Sequence, residues 1–226
     1  MAGAAIKAVL FDLDNTLIDF WKMKKAASKA ALAAMIRAGL KTDKQVAWRT
    51  LNRLFDLYGI ENQRIFEIFL KETTGRSDDR LLAAGVVAYR HAKELQMRPY
   101  PGVVPTLRQL RTRGLKLAIV TDAPRFQAWS RLFELKLDKY FDFIVALEDT
   151  GRKKPSRLPF RAALRKLHVK PAEAVMVGDS VGRDVLGAHK LGMRTVLAKY
   201  GQVWKETRRC KADHEIGGIS ELLLIV

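Results

Sequence analysis

The fold is most constrained by an alternation of short apolar runs and amphipathic stretches from Pro101 to the end of the chain. The apolar runs predict strands at Leu115–Val120, Phe141–Leu147, Ala174–Val177 and Arg194–Ala198, and a weak strand or helix near Leu222. The stretches between them predict helices at Val104–Arg113, Pro124–Leu135, Ser156–Leu167 and Val185–Leu191. Strands that alternate with helices favour an α/β fold with a doubly wound parallel sheet.

A further apolar run, Ala8–Phe11, predicts a buried strand that leads directly into Asp12, Asp14 and Thr16. Residues two apart on an extended segment point the same way, so both carboxylates can face one small site. Two carboxylates this close repel each other unless one is protonated or a cation lies between them. Asp12 is therefore interpreted as a nucleophile or metal ligand and Asp14 as a ligand or general acid/base. The alternative is a polar turn that only caps the following helix.

Helical patterns without a convincing strand occupy the chain between this first strand and Pro99. Apolar residues recur at helical spacing within Trp21–Ala38, Leu51–Tyr58 and Ile65–Leu70, and Asp78 can cap a fourth helix. The sequence thus predicts a discontinuous α/β core formed by residues 1–15 and 100–226. Residues 16–99 are predicted to form an inserted helical cap.

The composition limits the class of protein and its partners. The chain has 226 residues and one cysteine, Cys210, so an internal disulfide is impossible. The sequence shows neither a signal-peptide pattern nor a long uncharged apolar run, and we expect a soluble, cytoplasmic protein without membrane contacts. Scarce Asn, Gln and Cys favour a thermophilic source. The net charge of +17 favours anionic partners, but the basic residues are dispersed, which makes nucleic acid a less favoured partner than a small anion.

Several polar residues follow the predicted strands at their carboxyl ends, where open parallel sheets bind their ligands. Carboxylates, a hydroxyl and an ammonium together suit a phosphoryl group bound beside Mg²⁺. The residues are Asp12, Asp14, Thr121, Asp122, Lys154, Asp179 and Asp184.

In these residues the chain resembles hydrolases of the haloacid dehalogenase superfamily that carry a small helical cap. Asp12-x-Asp14-x-Thr16 is similar to the first motif in its phosphatase form, and Thr121 to the second. Lys154-Pro155 matches the third motif, and Gly178-Asp179 followed by Asp184 matches the fourth. The resemblance covers nearly the whole chain and extends to archaeal members labelled glyceraldehyde-3-phosphate or phosphoglycolate phosphatase.

The resemblance implies a Mg²⁺-dependent phosphatase that acts on a small phosphorylated metabolite through an aspartyl-phosphate. Asp12 would be the nucleophile and Asp14 the general acid/base. Thr121, Asp122 and Lys154 would bind the phosphoryl group. The metal would be held by Asp12, the backbone carbonyl of Asp14, and Asp179, with Asp184 behind these ligands or orienting Lys154. For Thr121 and Asp184, helix capping remains an alternative.

Three other functions remain open at this stage. A dehalogenase shares the fold, but it has no use for a general acid at Asp14. A phosphomutase would carry the same motifs, and a non-catalytic protein that binds anions or nucleic acid would account for the charge. We expect Phe20, Trp21 and Lys24 of the cap to contact substrate, with a helix-start packing cluster as the alternative. A monomer or homodimer is expected.

Overall fold

The structure is a computed structural model, and it describes residues 5–203 and 210–226. The chain forms two compact units. One unit comprises the chain up to Asp19 together with Arg98–Val226, and the other comprises Phe20–Met97. The chain leaves the first unit after Asp19 and re-enters it at Arg98. These two residues are neighbours, because the Asp19 amide donates to the Arg98 carbonyl at 3.3 Å. The helical unit is therefore an insertion between two neighbouring points of the first unit.

The first unit is built on a six-stranded sheet in which every strand pair is parallel. The spatial order is β3-β2-β1-β4-β5-β6. The strands are β1 Ala8–Phe11, β2 Lys116–Val120, β3 Phe143–Val145, β4 Ala174–Gly178, β5 Arg194–Ala198 and β6 His214–Ile216. β1 and β4 are buried along their full lengths, which explains why they are continuous apolar runs. The parallel α/β fold class is confirmed.

The second unit consists of helices around their own apolar core. They are α1 Phe20–Arg37, α2 Lys44–Tyr58, α3 Ile65–Thr74 and α4 Asp79–Gln96. Asp43 caps α2 by accepting from the amides of Gln45 and Val46, and Asp78 caps α4 in the same manner. The core includes Met35, Leu51, Leu54 and Phe69. These residues provide the unit with a hydrophobic core that is separate from the sheet.

Helices of the first unit connect the strands of the sheet. They are α5 Val103–Thr112, α6 Arg125–Glu134, α7 Leu147–Thr150, α8 Arg157–Leu167 and α9 Leu186–His189. Phe160 and Leu164 of α8 pack in one cluster with Leu10, Val120 and Met176 of the central strands. The apolar stripe of α8 thereby covers the middle of the sheet, whose strand ends carry the polar residues described below.

Two elements differ markedly in extent from those predicted, and one strand was missed. The strand predicted at Phe141–Leu147 is only Phe143–Val145, because the Asp149 carboxylate caps the Ala146 amide and starts α7. The helix predicted at Val185–Leu191 begins four residues earlier, as a π-helical turn at Val181–Val185. Near Leu222 the chain forms a 3-10 helix, Ile219–Leu224, and the preceding edge strand β6 was missed because its three residues include only one that is buried.

Candidate functional site

Three neighbouring strands, β2, β1 and β4, end at the same edge of the sheet because they are parallel. Asp12 follows β1, Thr121 and Asp122 follow β2, and Asp179 follows β4. The Asp12 amide donates to the Val177 carbonyl at 2.9 Å. The hydrogen bonding between β1 and β4 therefore continues one residue beyond the end of β1. The sheet register therefore brings residues that are far apart in the sequence to one site.

Three buried carboxylates form a cluster at this edge. One oxygen each of Asp12, Asp179 and Asp184 lies within 4.8 Å of the others. Asp184 is fully buried, and Asp12 and Asp179 are 3% and 4% exposed. Burial, followed by the charges of its two neighbours, raises the pKa of Asp179 far above its ordinary value. Burial also raises the pKa of Asp184, although Lys154 opposes that shift. The cluster is therefore short of positive charge.

Lys154 provides the cation closest to this cluster. Its Nζ lies 2.7 Å from Asp12 Oδ1, 2.6 Å from Asp184 Oδ1 and 2.9 Å from the Val120 carbonyl oxygen. Burial of Lys154 opposes its charge, but Asp12 and Asp184 outweigh burial and raise the pKa of the ammonium above its usual range. An ammonium has three N–H donors, and here three acceptors surround it. Lys154 is thus a fixed cation that links the strand ends of β1 and β2 to Asp184.

Asp184 approaches this edge because the residues before it leave room for it. Its Oδ2 accepts from the Ser180 amide at 3.1 Å, and its own amide donates to the Ser180 carbonyl. A Cβ placed on Gly178 would lie 2.3 Å from the Asp184 carboxyl carbon, so only glycine fits at the end of β4. Since Asp184 Oδ1 lies 2.6 Å from Lys154 Nζ in an ion pair, this carboxylate is placed to orient Lys154.

Asp179 differs from Asp184 in the distance to its nearest cation. Its Oδ1 is buried and accepts no hydrogen bond from the residues that the structure describes. The guanidinium of Arg183 approaches that oxygen only to 3.6 Å. A buried carboxylate oxygen without a close donor, beside two further carboxylates, is chemically suited to a divalent cation. The residues present thus fit a metal ion, with Asp12 and Asp179 as the side chains that would hold it.

The Asp14 side chain pairs with Arg131, whereas Asp12 pairs with Lys154. Asp14 Oδ2 accepts from Arg131 NH1 at 2.7 Å. Arg131 lies on α6 and is only 4% exposed, whereas the Asp14 side chain is 20% exposed. Sequence reasoning missed Arg131, because the dispersed basic residues were considered only for their contribution to the net charge. A signal was present, since Arg131 and Leu132 lie three and four positions after Ala128, which is the spacing of one buried helix face.

Thr121 and Asp122 follow β2 and have local partners. Thr121 Oγ1 accepts from the Ala123 amide at 3.1 Å, a local turn that precedes α6, whose N-cap residue is Pro124 and not Thr121. Asp122 Oδ1 accepts from the Lys154 amide at 2.9 Å and so holds the Lys154 loop against β2. Arg183, to which the sequence analysis assigned no role, lies 3.7 Å from Asp122. The Asp122 side chain thus positions Lys154 by binding the backbone amide of Lys154.

The turn after Asp14 is held by the segment that follows β5. Tyr200 Oη donates to the Thr16 carbonyl at 2.8 Å, and its ring packs edge-on against Tyr100 at 4.9 Å between centroids. A Cβ on Gly201 would lie 1.6 Å from the Asn15 carbonyl oxygen. Asn15 has a positive φ of 60°, a conformation that asparagine tolerates better than most residues. This close packing sets the path of the chain between Asp14 and the helical unit.

The three predicted substrate residues of the cap all lie on the first turns of α1, in the helical unit. Phe20 and Lys24 are buried there, and Trp21 is half-buried. Lys24 Nζ lies 5.1 Å from the ring centroid of Phe55 and 5.2 Å from that of Tyr89. Cation–π packing within the helical unit accounts for this placement of Lys24. Substrate contact by these residues stays a prediction.

Comparisons with known proteins indicate the chemistry of this arrangement. A family model described as haloacid dehalogenase-like hydrolase matches residues 9–198. The chain is 41% identical to a glyceraldehyde 3-phosphate phosphatase of Methanopyrus kandleri, over 98% of this chain and 97% of the relative. It is 35% identical to a protein of the same name from Pyrococcus furiosus, over 98% and 93%. A crystal structure of a phosphatase of this family from Thermococcus onnurineus superimposes with a TM-score of 0.73, at 30% identity and 97% coverage of both chains.

None of the helices formed by residues 5–203 and 210–226 has the length and apolar character needed to cross a membrane.

Proposed function

This chain belongs to the haloacid dehalogenase-like hydrolase family and is a phosphatase, and we propose that it hydrolyses a small phosphorylated metabolite through an aspartyl-phosphate on Asp12. The observation that carries this proposal is the ion pair of 2.7 Å between Asp12 Oδ1 and Lys154 Nζ at the carboxyl edge of the sheet. A carboxylate held by a fixed ammonium is oriented, as a nucleophile must be.

We propose Mg²⁺ as the metal and Asp12, Asp179 and the backbone carbonyl of Asp14 as its ligands. The buried, hydrogen-bond-poor Oδ1 of Asp179 supports this assignment, as does the cluster of three carboxylates around it. When bound, Mg²⁺ would offset the repulsion between an anionic nucleophile and an anionic phosphoryl group.

The remaining groups act in the order that the reaction requires. Asp12 attacks phosphorus while Asp14 gives its proton to the leaving oxygen, and Asp14 then takes a proton from the water that hydrolyses the aspartyl-phosphate. Thr121, Asp122 and Lys154 are proposed to bind and order the phosphoryl site, where charge spreads over the oxygens during transfer. Since Asp12, Asp184 and Val120 surround Lys154, its first role is to hold the nucleophile.

For the substrate we propose glyceraldehyde 3-phosphate, the compound in the names of two relatives that match nearly the whole chain. We propose that the helical unit is the cap that selects it, with Phe20, Trp21 and Lys24 as candidate contacts. A single cysteine, Cys210, is consistent with the reducing cytoplasm as the compartment. A monomer or a homodimer is proposed as the assembly.

The proposal is tested by hydrolysis of p-nitrophenyl phosphate and glyceraldehyde 3-phosphate, each in Mg²⁺ and in EDTA. We expect Mg²⁺-dependent turnover that Asp12→Asn abolishes, because an amide is a poor nucleophile and a weak metal ligand. Asp179→Asn should raise the Mg²⁺ concentration needed for half-maximal activity. Asp184→Asn should instead lower kcat at saturating Mg²⁺, because it releases Lys154.

Asp56→Asn is the matched control, since Asp56 is an exposed aspartate of α2 in the other unit. It should leave turnover unchanged. Full activity of wild type in EDTA would contradict the metal assignment, and an active Asp12→Asn would contradict the aspartyl-phosphate. Turnover of p-nitrophenyl phosphate without turnover of glyceraldehyde 3-phosphate would support the proposed reaction but contradict the proposed substrate.

A further inference from the structure

Arg131 occupies a position where a helix normally carries an apolar residue. Ala128, Arg131 and Leu132 are the buried residues of α6 and lie three and four positions apart on one face. An uncompensated guanidinium is costly on such a face, so it must be paired. The Arg131 side chain is 4% exposed, and its NH1 donates to Asp14 Oδ2 at 2.7 Å.

We propose that Arg131 is a positioning residue for Asp14, which acts through that carboxylate and not on the substrate itself. This inference rests on the proposed function, in which Asp14 is the general acid/base. Catalytic bases are commonly oriented by a third group through a hydrogen bond. Arg131 holds Oδ2, and this contact fixes the orientation of the Asp14 carboxyl group.

The proton-transfer step balances with these two residues. As an Asp12 oxygen bonds to phosphorus, the bond from phosphorus to the leaving oxygen breaks. The proton of the Asp14 carboxyl group moves to that oxygen, and the leaving group departs as a neutral alcohol. The carboxylate left on Asp14 is already paired with the guanidinium of Arg131. The same fixed carboxylate then takes a proton from the hydrolytic water as the water oxygen bonds to phosphorus and the bond from Asp12 to phosphorus breaks, which releases phosphate.

Position and charge make Arg131 better suited to this role than the other arginines of the site. Arg183 approaches Asp122 and Asp179 at 3.7 Å and 3.6 Å, beyond hydrogen-bond distance. Arg125, on the same helix as Arg131, is exposed and pairs with Asp149 away from the site. Arg131 is buried, within hydrogen-bond distance of Asp14, and on a regular helix that fixes its stem.

The test compares two aryl phosphates of nearly equal shape whose leaving groups differ in stability. Phenolate is a much poorer leaving group than p-nitrophenolate, so hydrolysis of phenyl phosphate depends more strongly on a correctly placed general acid. Arg131→Met keeps an apolar stem and removes the charge. We expect it to lower kcat/KM for phenyl phosphate by about 100-fold, the scale of a misplaced catalytic group, and for p-nitrophenyl phosphate by far less.

Two further variants separate positioning from a structural effect. Arg131→Lys keeps a cation and should restore most of kcat/KM for phenyl phosphate. In an Asp14→Asn background, Arg131→Met should cause no additional loss, since there is no carboxyl left to position. Arg125→Gln is the control on the same helix and should leave kcat/KM for both substrates unchanged.

An equal loss of kcat/KM for both substrates would overturn the inference, because a structural defect does not distinguish leaving groups. Full activity of Arg131→Met on phenyl phosphate, or additivity with Asp14→Asn, would overturn it as well. If wild type hydrolyses neither aryl phosphate nor glyceraldehyde 3-phosphate, the proposed function itself fails, which is a separate result.

Discussion

Lys154 is the residue on which the candidate site depends most. Its ammonium compensates Asp12 and Asp184 and is itself held by the Val120 carbonyl, all within 2.6–2.9 Å. Its backbone amide is held in turn by Asp122. Removal of one partner from a buried group of this kind leaves the others without compensation, which costs more than the pair contributes.

Lys154→Met should therefore reduce both stability and activity. We expect a loss of about 3–5 kcal/mol in the free energy of unfolding and loss of detectable hydrolysis. Lys153→Met is the matched control, because Lys153 is the exposed neighbour in the same loop. Denaturant unfolding and p-nitrophenyl phosphate hydrolysis measure the two effects. Equal stability of the two variants would contradict this account of Lys154.

Asp179 links the stability of the protein to pH and to metal. Burial and the neighbouring Asp12 and Asp184 raise its pKa to about 8. A carboxyl whose pKa is higher in the folded state contributes stability below its ordinary pKa, and this contribution is lost as pH rises through the folded value. The metal-free protein should therefore lose stability between about pH 4 and pH 8 through this group.

A divalent cation competes with that proton, so its effect on stability should grow with pH. We expect Mg²⁺ to raise Tm at pH 8.5 by at least about 3 °C more than at pH 5, which corresponds to about 1 kcal/mol for a chain of this size. Thermal unfolding of wild type and Asp179→Asn, with Mg²⁺ and with EDTA, measures the difference. An equal Mg²⁺ effect at both pH values would contradict the assignment of Asp179 as a ligand.

At the scale of elements, the short helical turn Lys199–Gly201 supports the turn that follows Asp14. Tyr200 reaches the Thr16 carbonyl, and Gly201 lies directly against the Asn15 carbonyl. The turn itself is closed by the Asn15 amide, which donates to the Ile18 carbonyl at 2.7 Å. The segment after β5 thus determines where the chain runs after Asp12 and Asp14, the two acids that follow β1.

Gly201→Ala should displace this turn, because its Cβ would overlap the Asn15 carbonyl oxygen. Overpacking of this kind costs about 1–3 kcal/mol of stability. Since Asp14 lies next to the turn, we expect the fall in kcat, converted to an activation free energy, to exceed the loss in the free energy of unfolding. Gly217→Ala is the control, because the nearest atom to its Cβ would be a flexible Glu221 oxygen at 3.4 Å. Chemical denaturation and steady-state kinetics of both variants measure the effect, and wild-type kcat in Gly201→Ala would contradict it.

At the scale of the whole molecule, the helical unit is inserted where the chain leaves and re-enters the first unit at neighbouring points. Ile18 and Pro99 form an antiparallel bridge, and Asp19 and Arg98 are hydrogen-bonded. Each unit has its own apolar cluster. Insertions between close chain ends perturb the host domain little, since the ends need not move to accommodate them.

A variant in which a short Gly-Ser linker replaces residues 20–97 should therefore still fold. We expect it to hydrolyse p-nitrophenyl phosphate slowly and to lose preference among phosphorylated metabolites, because the proposed cap selects the substrate. Circular dichroism, thermal unfolding and a metabolite panel measure these outcomes. An unchanged substrate preference would contradict the cap assignment, and an unfolded variant would show that the sheet unit depends on the helices.

The sequence by itself determined the fold class, and it predicted most of the candidate site residues but not Arg131. Strand and helix periods are local, and the residues that follow a parallel strand must emerge at its carboxyl end, so Asp12, Thr121 and Asp179 could be assigned to one edge. Helix-forming patterns between Asp19 and Met97 were equally local. The edge strand β6 escaped detection because three residues with one buried side chain provide no period to recognise.

Only the tertiary structure decided which partners these residues have. The order β3-β2-β1-β4-β5-β6 brings Lys154 to Asp12 and Asp184, and it leaves Asp179 with an oxygen that no described donor hydrogen-bonds. The pairing of Arg131 with Asp14 joins residues 117 positions apart. Hydrogen bonds and ion pairs form only across a few ångströms, and packing between distant segments sets those distances. No local pattern in the sequence encodes them.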